Sequence, residues 1–253
     1  NVALPAIQGS MSASVEEVTW VFTLYLAATA IVLPATGWLS GILGRKRFLL
    51  ISVSVFVGSS FLSGIAPNLT ILILARIFQG LGGGPLIPLS QAIMWEIFPL
   101  KERGMAMAVW GIGVMFGPIV GPTLGGWITD NWSWRWIFYI NIPIGLAGLF
   151  MLSVFLFDPP YLKRPERIDG WGLCFMVLGF GALQLVLDRG EREEWFASDW
   201  IVGLSVLACS ALLAFLVRQL LTDHPVIDLG VLRDPNFAIC AVIVTMLATG
   251  LYA

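Results

Sequence analysis

Long uncharged runs divide this chain into segments that each approach the length of a membrane-spanning helix. Roughly 20 apolar residues are needed for a helix to cross about 30 Å of hydrocarbon. The runs are continuously apolar, whereas the strands of a membrane barrel alternate over about ten residues, so the pattern predicts an all-α membrane protein. The eight predicted spans are residues 18–43, 48–66, 69–95, 104–129, 136–157, 170–187, 200–217 and 235–253.

Both ends of the sequence lie in apolar segments. The chain starts at Asn1, and the apolar residues 2–7 have the pattern of the last turns of a helix that begins earlier. The final residue, Ala253, lies within or at the edge of the last span. We therefore expect this chain to be a fragment of a longer protein with many spans.

The distribution of lysine and arginine predicts the orientation of the spans. If the connection after residue 66 faces outward, ten of the 14 basic residues fall in inward loops and three in outward loops. Positive charge tends to stay on the cytoplasmic side, so this bias supports the orientation chosen. The inward residues are Arg45, Lys46, Arg47, Lys101, Arg103, Lys163, Arg164, Arg167, Arg218 and Arg233, and the outward ones are Arg135, Arg189 and Arg192.

The composition excludes several other classes of protein. Hydrophobic residues make up 58% of the chain and charged residues 12%, which is unlike a soluble domain. No basic stretch interleaved with aromatic residues suggests a nucleic-acid partner. The three cysteines and the single histidine lack metal-ligand spacing, and the spans hold no cluster of catalytic polar residues. We therefore expect neither an enzyme nor a bound cofactor.

The most informative polar residue is Arg76, which lies alone within the span 69–95. An arginine near the centre of a membrane helix costs roughly 2.5–3.5 kcal/mol, so it usually has a partner and faces a bundle interior or a water-filled path. Glu96 lies twenty residues away. That separation is roughly 30 Å along a helix, so the two cannot pair. The remaining partners are an acid outside this chain or backbone carbonyls of a neighbouring helix.

Two further patterns accompany Arg76. On the same helix, Gly80, Gly83 and Ser90 follow at helical spacing, which predicts one wall of a polar cavity. In the span 104–129, glycines recur every four residues and form a stripe that lets another backbone approach, while two prolines each remove an amide donor. The predicted cavity residues are Gln79, Gly80, Gly83, Ser90 and Gln91, and the stripe motif comprises Gly113, Gly117, Pro118, Gly121, Pro122, Gly125 and Gly126.

Three motifs, in order along the chain, resemble those of the major facilitator superfamily. Residues 37–47 resemble its loop between helices two and three, residues 72–84 its fourth-helix motif, and residues 113–126 the fifth-helix motif of its antiporters. Residues 1–5 and 134–145 narrow the resemblance to the fourteen-helix drug:proton antiporters of the EmrB and QacA type. Residues 84–91 and 188–190 resemble the EmrB type most.

The resemblance implies an N-terminal six-helix bundle, two extra helices and a C-terminal six-helix bundle. On that map, residues 1–157 form the N-terminal bundle with a truncated first helix, and residues 170–220 form the two extra helices. Residues 158–169 and 221–234 are then cytoplasmic loops, and residues 235–253 begin the C-terminal bundle.

The resemblance also implies roles for individual residues. Arg76 is expected in proton coupling, acting on an acid shortly before Asn1 and holding the pKa of that acid low until they separate. A cytoplasmic gating loop is expected at Gly37, Gly44, Arg45, Lys46 and Arg47, although its basic residues alone would also serve as membrane anchors. Gly41 stands where the family has an aspartate, so a charge latch at this loop stays in question.

The expected function is proton-coupled export of hydrophobic or amphipathic toxic compounds by alternating access. The proton gradient takes the place of a cofactor, and the location is the bacterial inner membrane. A superfamily permease or exporter for one specific metabolite is the alternative. Besides substrates, protons and lipid, the resemblance implies a periplasmic adaptor and an outer-membrane channel as partners if the source is Gram-negative.

Overall fold

A computed structural model describes residues 3–157, 169–222, 225–227 and 229–252, with side chains in the last helix as far as Leu247. Within these ranges the regular elements are helical. In chain order they are α1 (Leu4–Met11), α2 (Val15–Leu43), α3 (Arg45–Ile65), α4 (Leu69–Gly83), α5 (Leu86–Ile97), α6 (Arg103–Asn131), α7 (Trp136–Tyr139), α8 (Asn141–Phe155), α9 (Gly170–Arg189), α10 (Asp199–Leu221) and α11 (Pro235–Tyr252), with 3-10 turns at Trp195–Ala197 and Leu229–Arg233.

The prediction of an all-α membrane protein is confirmed. Seven helical segments of the described part are long and apolar enough to cross a membrane, namely α2, α3, α4 with α5, α6, α7 with α8, α9 and α10. The eighth predicted span corresponds to α11, which is apolar over its described stretch Pro235–Leu247. Of the two predicted cytoplasmic loops, residues 158–168, 223, 224 and 228 lie outside the described residues, and the domain boundaries stay a prediction.

Several helices extend beyond the uncharged runs that predicted them. Helix α2 begins at Val15 because the Ser14 hydroxyl accepts from the Glu17 N–H at 3.2 Å, while the Glu17 carboxylate accepts from the Ser14 N–H at 2.8 Å. This reciprocal cap satisfies two free amides, and an acid in the first turn also suits the helix dipole. Helix α10 continues to Leu221 because the charge of Arg218 is paired, with its Nε 2.9 Å from Asp169 Oδ1.

Helix α4 packs between α2 and α3, and glycines of α4 lie on the faces that contact these two helices. A Cβ at Gly80 would lie 2.5 Å from the carbonyl oxygen of Tyr25, and one at Gly82 would lie 2.7 Å from the amide nitrogen of Phe56. The helix axes can approach this closely because these positions carry no side chain. The helix then breaks at Gly84, and α5 begins after Pro85.

The α9–α10 hairpin packs along α2. At the open end of the hairpin, a buried cluster joins Ala35 of α2 with Met176, Phe215 and Val226. Near the turn between α9 and α10, the Thr23 hydroxyl donates to the carboxylate of Asp188, and two aromatic contacts complete the junction. These contacts are Arg189 over the Trp20 ring at 3.9 Å and Trp20 against Trp200 at 6.4 Å between ring centroids.

By contrast, α6 leaves most of its surface uncovered. Its large side chains, such as Ile112, Phe116 and Ile119, are exposed, and its prolines 118 and 122 lie inside one continuous helix. Among the described residues α6 contacts mainly its sequence neighbours α5 and α7. An apolar helix in this state is covered by lipid or by protein outside the described residues.

The hairpin and the charge distribution together predict a topology that labelling can test. A cysteine introduced at Glu193, in the exposed turn between α9 and α10, should react with a membrane-impermeant thiol reagent in intact cells with a permeabilised outer envelope. A cysteine at Lys101, in the exposed α5–α6 connection, should react only after lysis, because the predicted orientation places it on the cytoplasmic side. The background replaces Cys174, Cys209 and Cys240. Labelling of both positions, or of neither, in intact cells would contradict the orientation.

Candidate functional site

The guanidinium of Arg76 is held by aromatic rings and by two hydrogen bonds. Its Cζ lies over the Tyr25 ring, 3.9 Å from the ring centroid, a distance that favours cation–π attraction. Its Nη1 donates to Gln79 Oε1 at 2.6 Å, and its Nε donates to the Val21 carbonyl oxygen of α2 at 3.4 Å. A carbonyl of a neighbouring helix is one of the two partners that the sequence left open. The acid outside this chain stays a prediction.

Arg76 opens onto a cavity of about 390 Å³ between α1, α2, α4, α6 and α7. The wall is apolar apart from the guanidinium, and it includes three residues of the α6 stripe motif. The structure therefore brings the predicted proton-coupling residue and part of the antiporter motif to one site. The lining consists of Ala3, Leu4, Ile7, Val21, Phe22, Arg76, Gly121, Pro122, Gly125, Ile137 and Phe138.

The glycines of the α6 stripe have open space beside them among the described residues. A Cβ at Gly113, Gly117 or Gly121 would meet nothing within 4 Å, and one at Gly125 would lie 4.0 Å from the side chain of Ile137. Gly126 is half-buried. Apart from this contact of Gly125 with α7, no described helix packs on the stripe, so we propose a bundle outside the described residues as its partner.

The five residues predicted to form a cavity wall do not meet around the Arg76 cavity. Gln79 and Gly80 are buried in the packing of α4, and Gly83 lies beside the Phe56 ring. Ser90 Oγ accepts a hydrogen bond from Trp110 Nε1 of α6 at 3.0 Å, and Gln91 is exposed. Gly80 has a packing role here because a Cβ at that position would collide with the α2 backbone. Contact of these five residues with substrate stays a prediction.

An ion pair is present at the predicted gating loop. Arg45, the first residue of α3, pairs with Glu96 near the end of α5, and Gly44 has φ 85°, which favours glycine at this turn. Lys46 Nζ donates to the Ser153 carbonyl oxygen of α8 at 2.8 Å. A charge pair therefore forms at this loop although Gly41 lacks a carboxylate, and its role as a gating latch stays a prediction. Lys46 is half-buried and Arg47 is exposed. A Cβ at Gly37 would meet nothing within 4 Å.

Sequence reasoning missed several residues that support the site. Ser60 of α3 and Asn141 of α8 form hydrogen bonds that continue from Gln79, and Tyr25 supplies the ring beneath Arg76. Arg189, predicted in an outward loop, is buried at the end of α9. Asn141 gave a weak signal, since it is an isolated polar residue in an apolar run, whereas Ser60 is one of several serines of α3 and nothing in the sequence distinguishes it.

Comparison with known proteins adds an independent finding to this geometry. The model of the Major Facilitator Superfamily matches residues 1–253. The chain belongs to the major facilitator superfamily. Membership in this family, together with the seven long apolar helices of the described residues, makes it a membrane protein with many spans.

Several members of the superfamily are similar over nearly the whole chain. A multidrug export protein EmrB of Haemophilus influenzae is 44% identical over 239 residues, which are 94% of this chain and 47% of that protein. The protein of the same name in Escherichia coli K12 is 41% identical with the same coverage. A fatty acid resistance protein FarB of Neisseria gonorrhoeae is 41% identical over 96% of this chain and 48% of its own length.

The predicted resemblance to the EmrB type is confirmed by these identities. The chain spans about half the length of the curated relatives that it matches. The described helices and the Arg76 cavity therefore correspond to one part of those transporters.

The glycine face of α4 leads to a stability prediction. In Gly82→Ala the new methyl group would lie 2.7 Å from the Phe56 amide nitrogen and 2.8 Å from the Ser52 carbonyl oxygen, so α4 must move away from α3. We expect a loss of about 1–3 kcal/mol, as for other overpacked sites. Thermal unfolding of residues 1–253 in detergent would measure it.

Gly113→Ala is the matched control, because a Cβ there meets nothing within 4 Å. It should leave stability unchanged or raise it by up to about 1 kcal/mol through helix propensity. Equal melting temperatures for the two variants would show that the contacts at Gly82 do not limit the packing of α4.

Proposed function

We propose that this chain acts as the N-terminal part of a proton-coupled multidrug exporter in the bacterial inner membrane. The exporter would expel hydrophobic or amphipathic toxic compounds by alternating access. The observation that carries the proposal is the shared cavity of Arg76 and the α6 motif residues Gly121, Pro122 and Gly125. The names of relatives with 41–44% identity support multidrug compounds as the substrates.

The position of the cavity suits access from the outer face. Arg76 lies seven residues after Leu69, where α4 begins. That distance is roughly 10 Å at the rise of an α-helix, which places the guanidinium in the outer half of the membrane if the basic loops face inward. Protons from the outer face would then reach the site through the shorter part of the bilayer.

The chemistry of coupling follows from a charge in a medium of low dielectric. A guanidinium stays protonated, so a carboxylate beside it is stabilised in the charged form and its pKa is lowered. If a conformational change or a bound compound separates the two, the pKa of the carboxylate rises and it takes up a proton. We propose that such an acid on the first helix faces Arg76 and that this exchange drives export.

The apolar wall of the cavity favours amphipathic compounds over small polar metabolites. Phe22, Ile137 and Phe138 provide apolar contact, while Arg76 provides the only charge among the cavity's lining residues. FarB is named for fatty acid resistance, so we include amphipathic acids among the proposed substrates. The metabolite alternative would instead require a cavity with several directional hydrogen-bond groups.

We also propose the assembly partners that the EmrB type implies, a periplasmic adaptor and an outer-membrane channel. The exposed turn between α9 and α10, with Glu191, Glu193 and Glu194, lies on the side that would face them. This assignment rests on resemblance and on the predicted orientation.

The role of Arg76 can be tested by substitution in the full-length transporter. Arg76→Ala should reduce drug resistance to the level of cells without the transporter, because the coupled acid loses its neighbouring charge. Arg76→Lys should restore resistance only in part, since lysine lacks the planar donor fork that reaches both Gln79 and Val21. Minimum inhibitory concentrations at equal membrane abundance provide the measurement.

Arg192→Ala is the control, because this arginine is exposed in the outer turn. It should retain the resistance of the parent. Parent-like resistance in Arg76→Ala at equal abundance would contradict the coupling role.

The α6 motif gives a second functional test. Gly121→Leu would place a branched side chain in the cavity that Arg76 also lines, and on the stripe that another backbone is proposed to approach. We expect drug efflux, followed by fluorescence of an exported dye, to fall to background. Gly104→Leu, near the inner end of the same helix and likewise open in this chain, should retain most of the efflux. Efflux within twofold of the parent in Gly121→Leu would remove the stripe from the mechanism.

A further inference from the structure

A line of hydrogen bonds runs from Arg76 into the interior of the helix bundle. Beyond the bond from Arg76 to Gln79 Oε1, the Nε2 of Gln79 donates to Ser60 Oγ at 2.6 Å. The same hydroxyl oxygen accepts a hydrogen bond from Asn141 Nδ2 at 3.1 Å. Gln79 and Ser60 are 2% and 0% exposed, so their partners come from the protein. The line joins α4, α3 and α8.

Only one orientation of the Gln79 amide satisfies this line. A guanidinium donates hydrogen bonds and does not accept them, so the atom of Gln79 that faces Arg76 must be the carbonyl oxygen. The amide nitrogen then points to Ser60 and needs an acceptor, because a buried donor without a partner is unfavourable. Without the Ser60 hydroxyl, Gln79 would keep an unpaired N–H or rotate, and rotation would remove the acceptor from Arg76.

Asn141 is held in place by contacts that fix α7 and α8 against α3. Arg135 Nη1 donates to the carbonyl oxygens of Gly64 and Ala66, at 2.7 and 2.9 Å, and so caps the end of α3. The ring of Tyr139 fills the space beside Gly64 that any side chain there would need. These contacts fix the position of Asn141, the last residue of the hydrogen-bond line, relative to α3.

We propose that Ser60 and Asn141 are positioning residues that hold the guanidinium of Arg76 at the cavity by fixing the Gln79 amide. The proposal rests on the coupling role proposed for Arg76. Neither residue lines the cavity, so each acts through Gln79 and does not touch substrate or the transferred proton.

The expected effect is a change in the pH dependence of transport. An arginine held close to a carboxylate lowers the pKa of that carboxylate, so an arginine released from its position lowers it less. The midpoint of drug–proton exchange against pH should therefore move to higher pH. Loss of one hydrogen bond corresponds to a shift of about half a pH unit or more.

The experiment uses the full-length transporter in proteoliposomes, with exchange measured across a pH series. Ser60→Ala and Asn141→Leu should each shift the midpoint upward, and the double variant should shift it little more than either one, because both act on a single line. Ser60→Thr, which keeps the hydroxyl, should restore the parent midpoint. Ser63→Ala is the matched control, since Ser63 is also 0% exposed on α3 but donates only to the Ser59 carbonyl oxygen.

The outcomes separate this proposal from the proposed function. If Arg76→Ala keeps the transport and midpoint of the parent, the coupling role itself fails. If Arg76→Ala abolishes transport while Ser60→Ala and Asn141→Leu keep the parent midpoint, the positioning role alone is overturned. A shift that Ser63→Ala reproduces, or a loss of folded protein that Ser60→Thr does not reverse, would show a general packing effect and also overturn it.

Discussion

A guanidinium inside a membrane must find its hydrogen-bond acceptors and its charge stabilisation within the protein. For Arg76 this requirement is met from two sides, by Val21 and Tyr25 of α2 and by Gln79, which Ser60 of α3 supports. Both sides are within reach only because α4 approaches α2 and α3 through its glycine face. The charge therefore depends on the packing, and a change that separates these helices also removes the partners of the arginine.

The transmembrane architecture was predictable because hydrocarbon imposes a length and a polarity on each helix. The helix ends were less predictable, since an uncharged run stops at the first charged residue even where the helix continues. Glu17 lies in the first turn of α2 as part of a cap, and Arg218 lies near the end of α10 paired with Asp169. Each charge is satisfied by a neighbour, so the helix continues past the point where the apolar run stops.

The candidate site was predictable only where its signal is local. The lone arginine of α4 and the four-residue glycine period of α6 are each visible in the sequence of a single helix. Arg76 and Gly121 both line the observed cavity. Its supporting contacts join residues far apart along the chain. Asn141 lies 81 residues from Ser60, and no short pattern encodes that contact. The Arg45–Glu96 pair was missed for the same reason, since the two residues lie at the ends of different helices.

The connection after α10 joins the α9–α10 hairpin to α11 and is short. The N–H of Ile227 donates to Gln219 Oε1 at 3.0 Å, and Val226 is buried in the cluster that fastens the hairpin to α2. Only seven residues separate Ile227 from Pro235, where α11 begins. Fully extended they span at most about 25 Å, and the 3-10 turn within them shortens that reach. The start of α11 can therefore move only a limited distance relative to the α9–α10 hairpin. This short connection limits the displacement of any bundle to which α11 belongs.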